Sequence, residues 1–174
     1  MGVSSLSQTW KVDLLTRLSL ECVGTPFSDS FRDTSANGIH LAVFVEPYLE
    51  YLLEGRKTIE SRFSVNRTAP FQQVQVGDLI VLKRTAGPVC AVCRVASVWF
   101  YRLDPDTWPE ITQHAEALCM DSSLFWQKKS SASFATLMEV QDVHRLQEFG
   151  ISKADPRSWV VLRSSSEAKQ GSLV

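Results

Sequence analysis

The stretch Glu54-Gly55-Arg56-Lys57-Thr58-Ile59-Glu60-Ser61-Arg62 decides how this chain is read. Ahead of it, Tyr48, Leu49, Leu52 and Leu53 supply the apolar positions of a short helix. Pro47 suits the first helical position, and Gly55 suits the left-handed residue that ends a helix. Beyond Gly55, residues 57 to 63 alternate as a strand does. In a regular strand Thr58, Glu60 and Arg62 share one face, while Lys57 lies on the other. Bringing Lys57 together with Glu60 and Arg62 therefore requires a bend at the strand entrance.

Those residue types carry chemistry. The forked guanidinium of Arg62 can grip a phosphate or carboxylate through two parallel hydrogen bonds. Lys57 is a point charge whose pKa falls when it is desolvated or crowded by cations such as Arg56 and Arg62. Glu60 can orient Lys57, accept a base amino group or act as a general base. Tyr51, one and a half turns before Lys57, can present a hydroxyl to the same place or remain a half-buried helix aromatic.

Working outward, β-branched and aromatic residues predict strands over 40–45, 79–83, 89–101, 134–146 and 158–163. Val76-Gly77-Asp78 and Ala86-Gly87-Pro88 read as turns between them. Asp106 or Thr107 can cap a helix starting near Pro109 and running to about Cys119. Residues 122–133 read as a polar loop carrying an exposed cluster of Leu124, Phe125 and Trp126 beside Lys128 and Lys129. Trp126 and Phe125 either stack on a base, as single-stranded RNA recognition prefers, or anchor the loop to the core. Trp159 belongs to the core.

Before the compact part, Leu6, Trp10, Leu14, Leu15 and Leu18 recur at helical spacing within residues 6–22. This amphipathic helix docks on the domain or on a protein partner. Residues 24–38, rich in Ser, Asp, Thr, Gly and Asn, read as a mobile linker. The organisation expected is a helical extension and linker over 1–38, a folded domain over 39–163 and a disordered tail over 164–174.

At 174 residues the chain suits one domain that buries about 70% of its unfolded surface. A net charge of −1 supplies no global field for long duplex DNA, so any nucleic-acid site is a local patch. No transmembrane run or secretory leader is present, and four irregularly spaced cysteines suit a reduced, cytoplasmic protein. Cys90-Ala91-Val92-Cys93 lies in a strand, where positions three apart face opposite sides. With no second pair to complete a zinc site, neither a metal nor another cofactor is expected.

The order of these pieces resembles the ASCH domains, small barrels related to the PUA RNA-binding fold. The family signature G-x-K-x-x-E-x-R reads here as Gly55, Lys57, Glu60 and Arg62. The Pro47-Tyr48 helix start, the Gly77-Asp78 turn, the long strand through Val95 and the closing segment with Trp159 extend the likeness over residues 39 to 163. The resemblance implies an α+β, mainly β fold: a small PUA-like β-barrel with flanking short helices, here with an N-terminal helical extension. It also implies a positively lined cleft for RNA or a modified nucleotide, with Arg56, Lys57, Thr58, Glu60, Arg62 and Trp126 as binding residues. Some members cleave RNA and one branch hydrolyses N4-acetylcytidine, so Lys57, Glu60 and Tyr51 are the catalytic candidates for a metal-independent hydrolase. His114 and Glu116 are similar to a patch in the acetylcytidine enzymes. Leu118 stands where those enzymes carry their acid, however, and Glu60 where they carry a threonine, which argues against that activity. An adaptor docking through residues 6–22 is the remaining alternative.

Overall fold

The computed structural model describes residues 3–32, 35–120 and 122–165. In chain order it runs α1 (Val3–Glu21), β1 (Ile39–Phe44), α2 (Tyr48–Leu53), β2 (Ile59–Ser64), β3 (Leu79–Arg84) and β4 (Val89–Arg102). Three short helices follow, α3 (Trp108–Thr112), α4 (Ala115–Leu118) and α5 (Ser123–Lys129), before β5 (Phe134–Phe149) and β6 (Trp159–Arg163). The strands form one sheet in the order β2-β5-β4-β3-β1-β6. β1 runs parallel to β3, and every other neighbouring pair is antiparallel. The result is a mainly β half-barrel with short helices, as expected.

The curl resides in β4 and β5, which span 14 and 16 residues and slip register at three points. At one of them Asp142 adopts φ 54°, and the ladder passes from Arg94–Gln141 to Val92–His144. An extra residue in one strand bends it and increases its twist. A second irregularity lies at Cys90, between the Leu82–Ala91 and Lys83–Val89 pairs. It corrects the expected placement of the cysteines: Cys90 and Cys93 are both buried in the same apolar cluster, because the bulge breaks strict alternation between them.

One face of the sheet packs on α1. Trp10, Leu14 and Leu18 are buried against Ile39, Leu41, Leu79, Val81, Val92 and Val160. The helical stripe read from the sequence is thus used inside the molecule, and the adaptor reading loses its docking face. The expected linker also contributes, since its turns bury Phe27 and Phe31 in the same cluster. Its polar residues satisfy backbone groups: Thr25 Oγ1 and Ser28 Oγ donate to the Cys22 carbonyl at the end of α1 (2.8 and 2.9 Å). Arg163 of β6 ties these turns to the sheet by donating to the carbonyls of Ser30 and Arg32 (both 2.8 Å).

The opposite face packs α2, through Leu49 and Leu52, on Ala42, Phe44, Ile80, Leu82 and Trp159. Within this interior Trp159 Nε1 donates to His40 Nδ1 (3.3 Å), so the imidazole's one N–H is on Nε2, which donates to Asp78 Oδ2 (3.0 Å). Asp78 also accepts from the amides of Gly38 and Gln75 and from Ser165 Oγ (2.7, 2.9 and 2.8 Å). Ser165 is therefore a buried residue, although it lies in the stretch expected to be a tail; residues 166–174 of that tail fall outside the described residues.

Three local expectations are corrected. The helix expected from Pro109 to Cys119 breaks into α3 and α4, with Cys119 left-handed at φ 54°. Thr107 stands at the N-cap of α3 as expected, but its side chain makes no capping bond there; Asp104 Oδ1 instead accepts from the amides of Asp106 and Thr107 (both 2.9 Å) in the turn ahead of the helix. The expected loop at 122–133 contains α5, capped by Ser122, whose side chain accepts from the Phe125 amide. No helix among the described residues is long and apolar enough to cross a membrane.

Candidate functional site

Gly55 makes the bend. Residue 55 has φ +75°, its amide donates to the Leu52 carbonyl (3.1 Å), and the Arg56 amide donates to the Tyr51 carbonyl (2.8 Å). This is the Schellman pattern that closes a helix with a left-handed residue. The Lys57 amide also donates to the Tyr51 carbonyl (2.9 Å), which holds residue 57 against the helix end and out of the strand. Strand pairing with β5 begins only at Ile59. Lys57 consequently escapes the alternation that would have set it opposite Glu60.

Its side chain turns inward. Lys57 Nζ donates to the carbonyls of Ile59 (2.8 Å) and Leu118 (3.1 Å) and lies 3.4 Å from Glu60 Oε2. The three acceptors match the three donors of an ammonium group. Burial, at 1% exposure, pulls the Lys57 pKa below the usual lysine range, and the adjacent Glu60 carboxylate opposes that shift.

The other oxygen of Glu60, Oε1, lies 2.8 Å from Arg62 Nε. The N–H points off that line, so the pair is ionic and the buried Nε has no hydrogen-bond partner. Arg62 then reaches across the molecule: Nη2 donates to the Val43 carbonyl (3.1 Å) and Nη1 approaches the Ser158 carbonyl at 3.5 Å. Its guanidinium carbon lies 4.9 Å from the Phe44 ring centre and 5.3 Å from that of Trp159. Because β2 is one edge of the sheet and β6 the other, this side chain spans the open seam of the half-barrel.

At the seam is a cavity of about 280 Å³ walled by Lys57, Glu60 and Arg62, together with Tyr48, Phe125 and Lys129. Three cations thus face one carboxylate. Lys129 Nζ sits 5.5 Å from the Phe125 ring centre and 5.7 Å from that of Phe63. Tyr48, Phe63 and Phe125 meet at centroid distances of 6.1 and 6.5 Å, giving the cavity an aromatic wall.

No protein-family model matches the chain, and no curated protein matches it. Solved structures do. An ASCH protein from Zymomonas mobilis superposes with a TM-score of 0.57 at 14% identity, covering 76% of this chain and 92% of that one. Two variants of the Zymomonas mobilis protein also match at 13% identity. The serine-to-alanine form gives a TM-score of 0.53 over 76% and 92% of the two chains, and the tyrosine-to-phenylalanine form 0.52 over 78% and 97%. The chain has the ASCH fold.

Within that ASCH fold, the residues singled out from the sequence divide. Lys57, Glu60 and Arg62 line the seam cavity. Tyr51 and Arg56 line a neighbouring hollow on the other side of Tyr48 and Met120, where the Arg56 guanidinium stacks 4.1 Å from the Tyr51 ring centre. The Thr58 side chain is exposed outside both, and its backbone links α4 to β5 through the Ala117 carbonyl and Val140 amide (both 3.0 Å). Trp126 packs edge-on against Trp108 and Phe125 instead of facing the cavity. His114 stacks on Trp99, and Glu116 is an exposed residue facing the Tyr51 hollow. Of the aromatic and basic cluster read from the sequence, Phe125 and Lys129 reach the cavity and Trp126 does not. Tyr48, read as an apolar helix position, and Ser158 were not among the expected site residues, because neither residue type nor spacing marks them.

Proposed function

We propose that the seam cavity binds one nucleotide unit of single-stranded RNA, or a modified nucleotide. The observation that supports this reading is the meeting of three cations and one carboxylate with the rings of Tyr48, Phe63 and Phe125 around a single hollow. Ring faces accept any base, while Arg62 and Lys129 offer charge to a phosphate. The carboxylate of Glu60 keeps acceptor capacity beyond its two ion pairs, which suits a base amino group. At about 280 Å³ the cavity falls just below the ~300–1,000 Å³ range of small-molecule sites, which suits a single nucleotide. The free thiols of Cys22, Cys90, Cys93 and Cys119 suit the reducing cytoplasm.

Fluorescence anisotropy with a short single-stranded RNA tests the reading. Phe125→Ala is expected to weaken binding by about 1–3 kcal/mol, the contribution of one base–aromatic stack. Lys129→Ala is expected to reduce the salt slope by about 0.7, one phosphate contact on a single strand. No binding at low salt, or an affinity indifferent to both substitutions, removes the proposal.

Hydrolysis in the same cavity is a second reading, favoured by the lowered pKa of Lys57 beside Glu60. Such a pair could move a proton while Arg62 holds developing negative charge. The expected result is turnover of a short RNA or of N4-acetylcytidine in excess chelator, lost in Lys57→Met with its circular dichroism unchanged. Absence of turnover with both substrates leaves binding alone.

A further inference from the structure

Across Val43, Thr85 and Ser158 the seam cavity shares its wall with a second, shallower hollow of about 680 Å³. We propose that this hollow seats a phosphodiester of the same strand, so that the site takes an oligonucleotide in preference to a lone nucleoside. The inference rests on the reading of the seam cavity given above.

Lys83, Lys153 and Arg157 line the hollow against one carboxylate, Asp155. That carboxylate is already engaged, since Arg157 grips it through Nε to both oxygens (2.9 and 3.0 Å) and through Nη2. Neither lysine forms a salt bridge among the described residues. Lys83 is 8% exposed, and its Nζ donates to the Arg84 carbonyl (3.0 Å), leaving ammonium protons to spare. Lys153 donates to the carbonyls of Asp155 and Arg157, which hold its head at the hollow. Burial first, then repulsion from Lys83 and Arg157, pulls its pKa down against the attraction of Asp155. Three cations gathered around one carboxylate that is already engaged leave an excess of positive charge, which an anion relieves. The hollow adjoins the base-sized seam cavity across Val43, Thr85 and Ser158, where the phosphate next along a strand would lie.

The experiment follows backbone amides by nuclear magnetic resonance during titration with a single-stranded trinucleotide, its parent nucleoside and inorganic pyrophosphate. The trinucleotide is expected to shift amides at Ser61 and Phe63 in the cavity and also at Gly87 and Lys153 in the hollow. The nucleoside should shift the first group alone. In Lys153→Gln/Arg157→Gln, two substitutions at the rim, trinucleotide affinity should fall about tenfold and the salt slope by about 0.7 per lost contact, with nucleoside binding unchanged. Cavity amides that shift while the hollow stays silent overturn this inference and leave the seam reading intact. Hollow shifts without cavity shifts sink the seam reading instead, and silence in both removes the two together. Pyrophosphate that moves the hollow amides as strongly as the trinucleotide marks a free-phosphate site and refutes the strand assignment.

Discussion

Replacing Glu60 by Gln tests whether the buried charges of the seam act as one unit. The substitution preserves shape but leaves the Lys57 ammonium, 1% exposed, with two carbonyl partners and no counter-charge. Breaking a buried pair from one side costs about 3–5 kcal/mol. The two retained carbonyl bonds and the partial exposure of Arg62 place this case near the lower end, at about 3 kcal/mol. For a domain of this size that corresponds to a fall in Tm of about 6–12 °C. The pH dependence carries the sharper signature. Lys57 has a folded pKa below its unfolded value, so the cost of burying its charge is full below the folded pKa. That cost is relieved as pH rises from the folded toward the unfolded pKa, where the unfolded chain binds more protons. Loss of Glu60 removes the influence that raises the folded pKa, so relief begins at lower pH in the variant than in the wild type. Urea unfolding at about pH 6 and about pH 9 should therefore show the deficit shrinking as pH rises. The reasoning is refuted by a deficit that is constant across that range, or below about 1 kcal/mol at the lower pH.

Three further outcomes follow from the same structure. Gly55→Ala meets no atom within 4 Å but forces a side chain to φ +75°, so it should cost about 1–2 kcal/mol in thermal unfolding; a stabilised variant contradicts the Schellman bend. Asp78→Asn should cost about 2–4 kcal/mol by urea titration, because it weakens a carboxylate that accepts from two amides, Ser165 and His40. Burial raises the Asp78 pKa, but these donors lower it further, so their stabilisation is complete above the unfolded pKa and is lost as pH falls through the folded one. An Asn variant with an unchanged acid limb would be inconsistent with that assignment. Trp10→Ala should cost about 3–5 kcal/mol in a single cooperative transition; a change under 1 kcal/mol would show that α1 is dispensable to the domain.

Much of the frame could be read from residue order, because its signals are local. Leu79–Arg84 and Trp159–Arg163 are short apolar runs bounded by turn residues, and Gly55 ends its helix where the spacing of Leu49 and Leu52 stops. What escaped depends on contacts between distant segments. Strand alternation set Lys57 opposite Glu60, whereas the Tyr51 carbonyl holds it outside the strand. Phe27 and Phe31 lie among serines and aspartates, and it is packing with Trp10, Leu14 and the sheet residues, distant in sequence, that makes those turns part of the interior, with Arg163 tying them in. Helix α5 has no buried side chain and therefore no amphipathic stripe to betray it. Tyr48 and Ser158 stand 110 residues apart in an order that gives no hint that they share a cavity wall.

The reach of Arg62 from β2 to the carbonyls of Val43 and Ser158 also bears on how well the two edges of the sheet are protected. Two strand margins face each other there with the Arg62 guanidinium as a latch, and unlatched margins are templates for foreign strands. A guest that draws Arg62 toward itself competes with the latch, whereas one that bridges both margins reinforces it. On the binding proposed above, occupancy should therefore govern aggregation, and preparations kept with a short single-stranded RNA should outlast those kept without it.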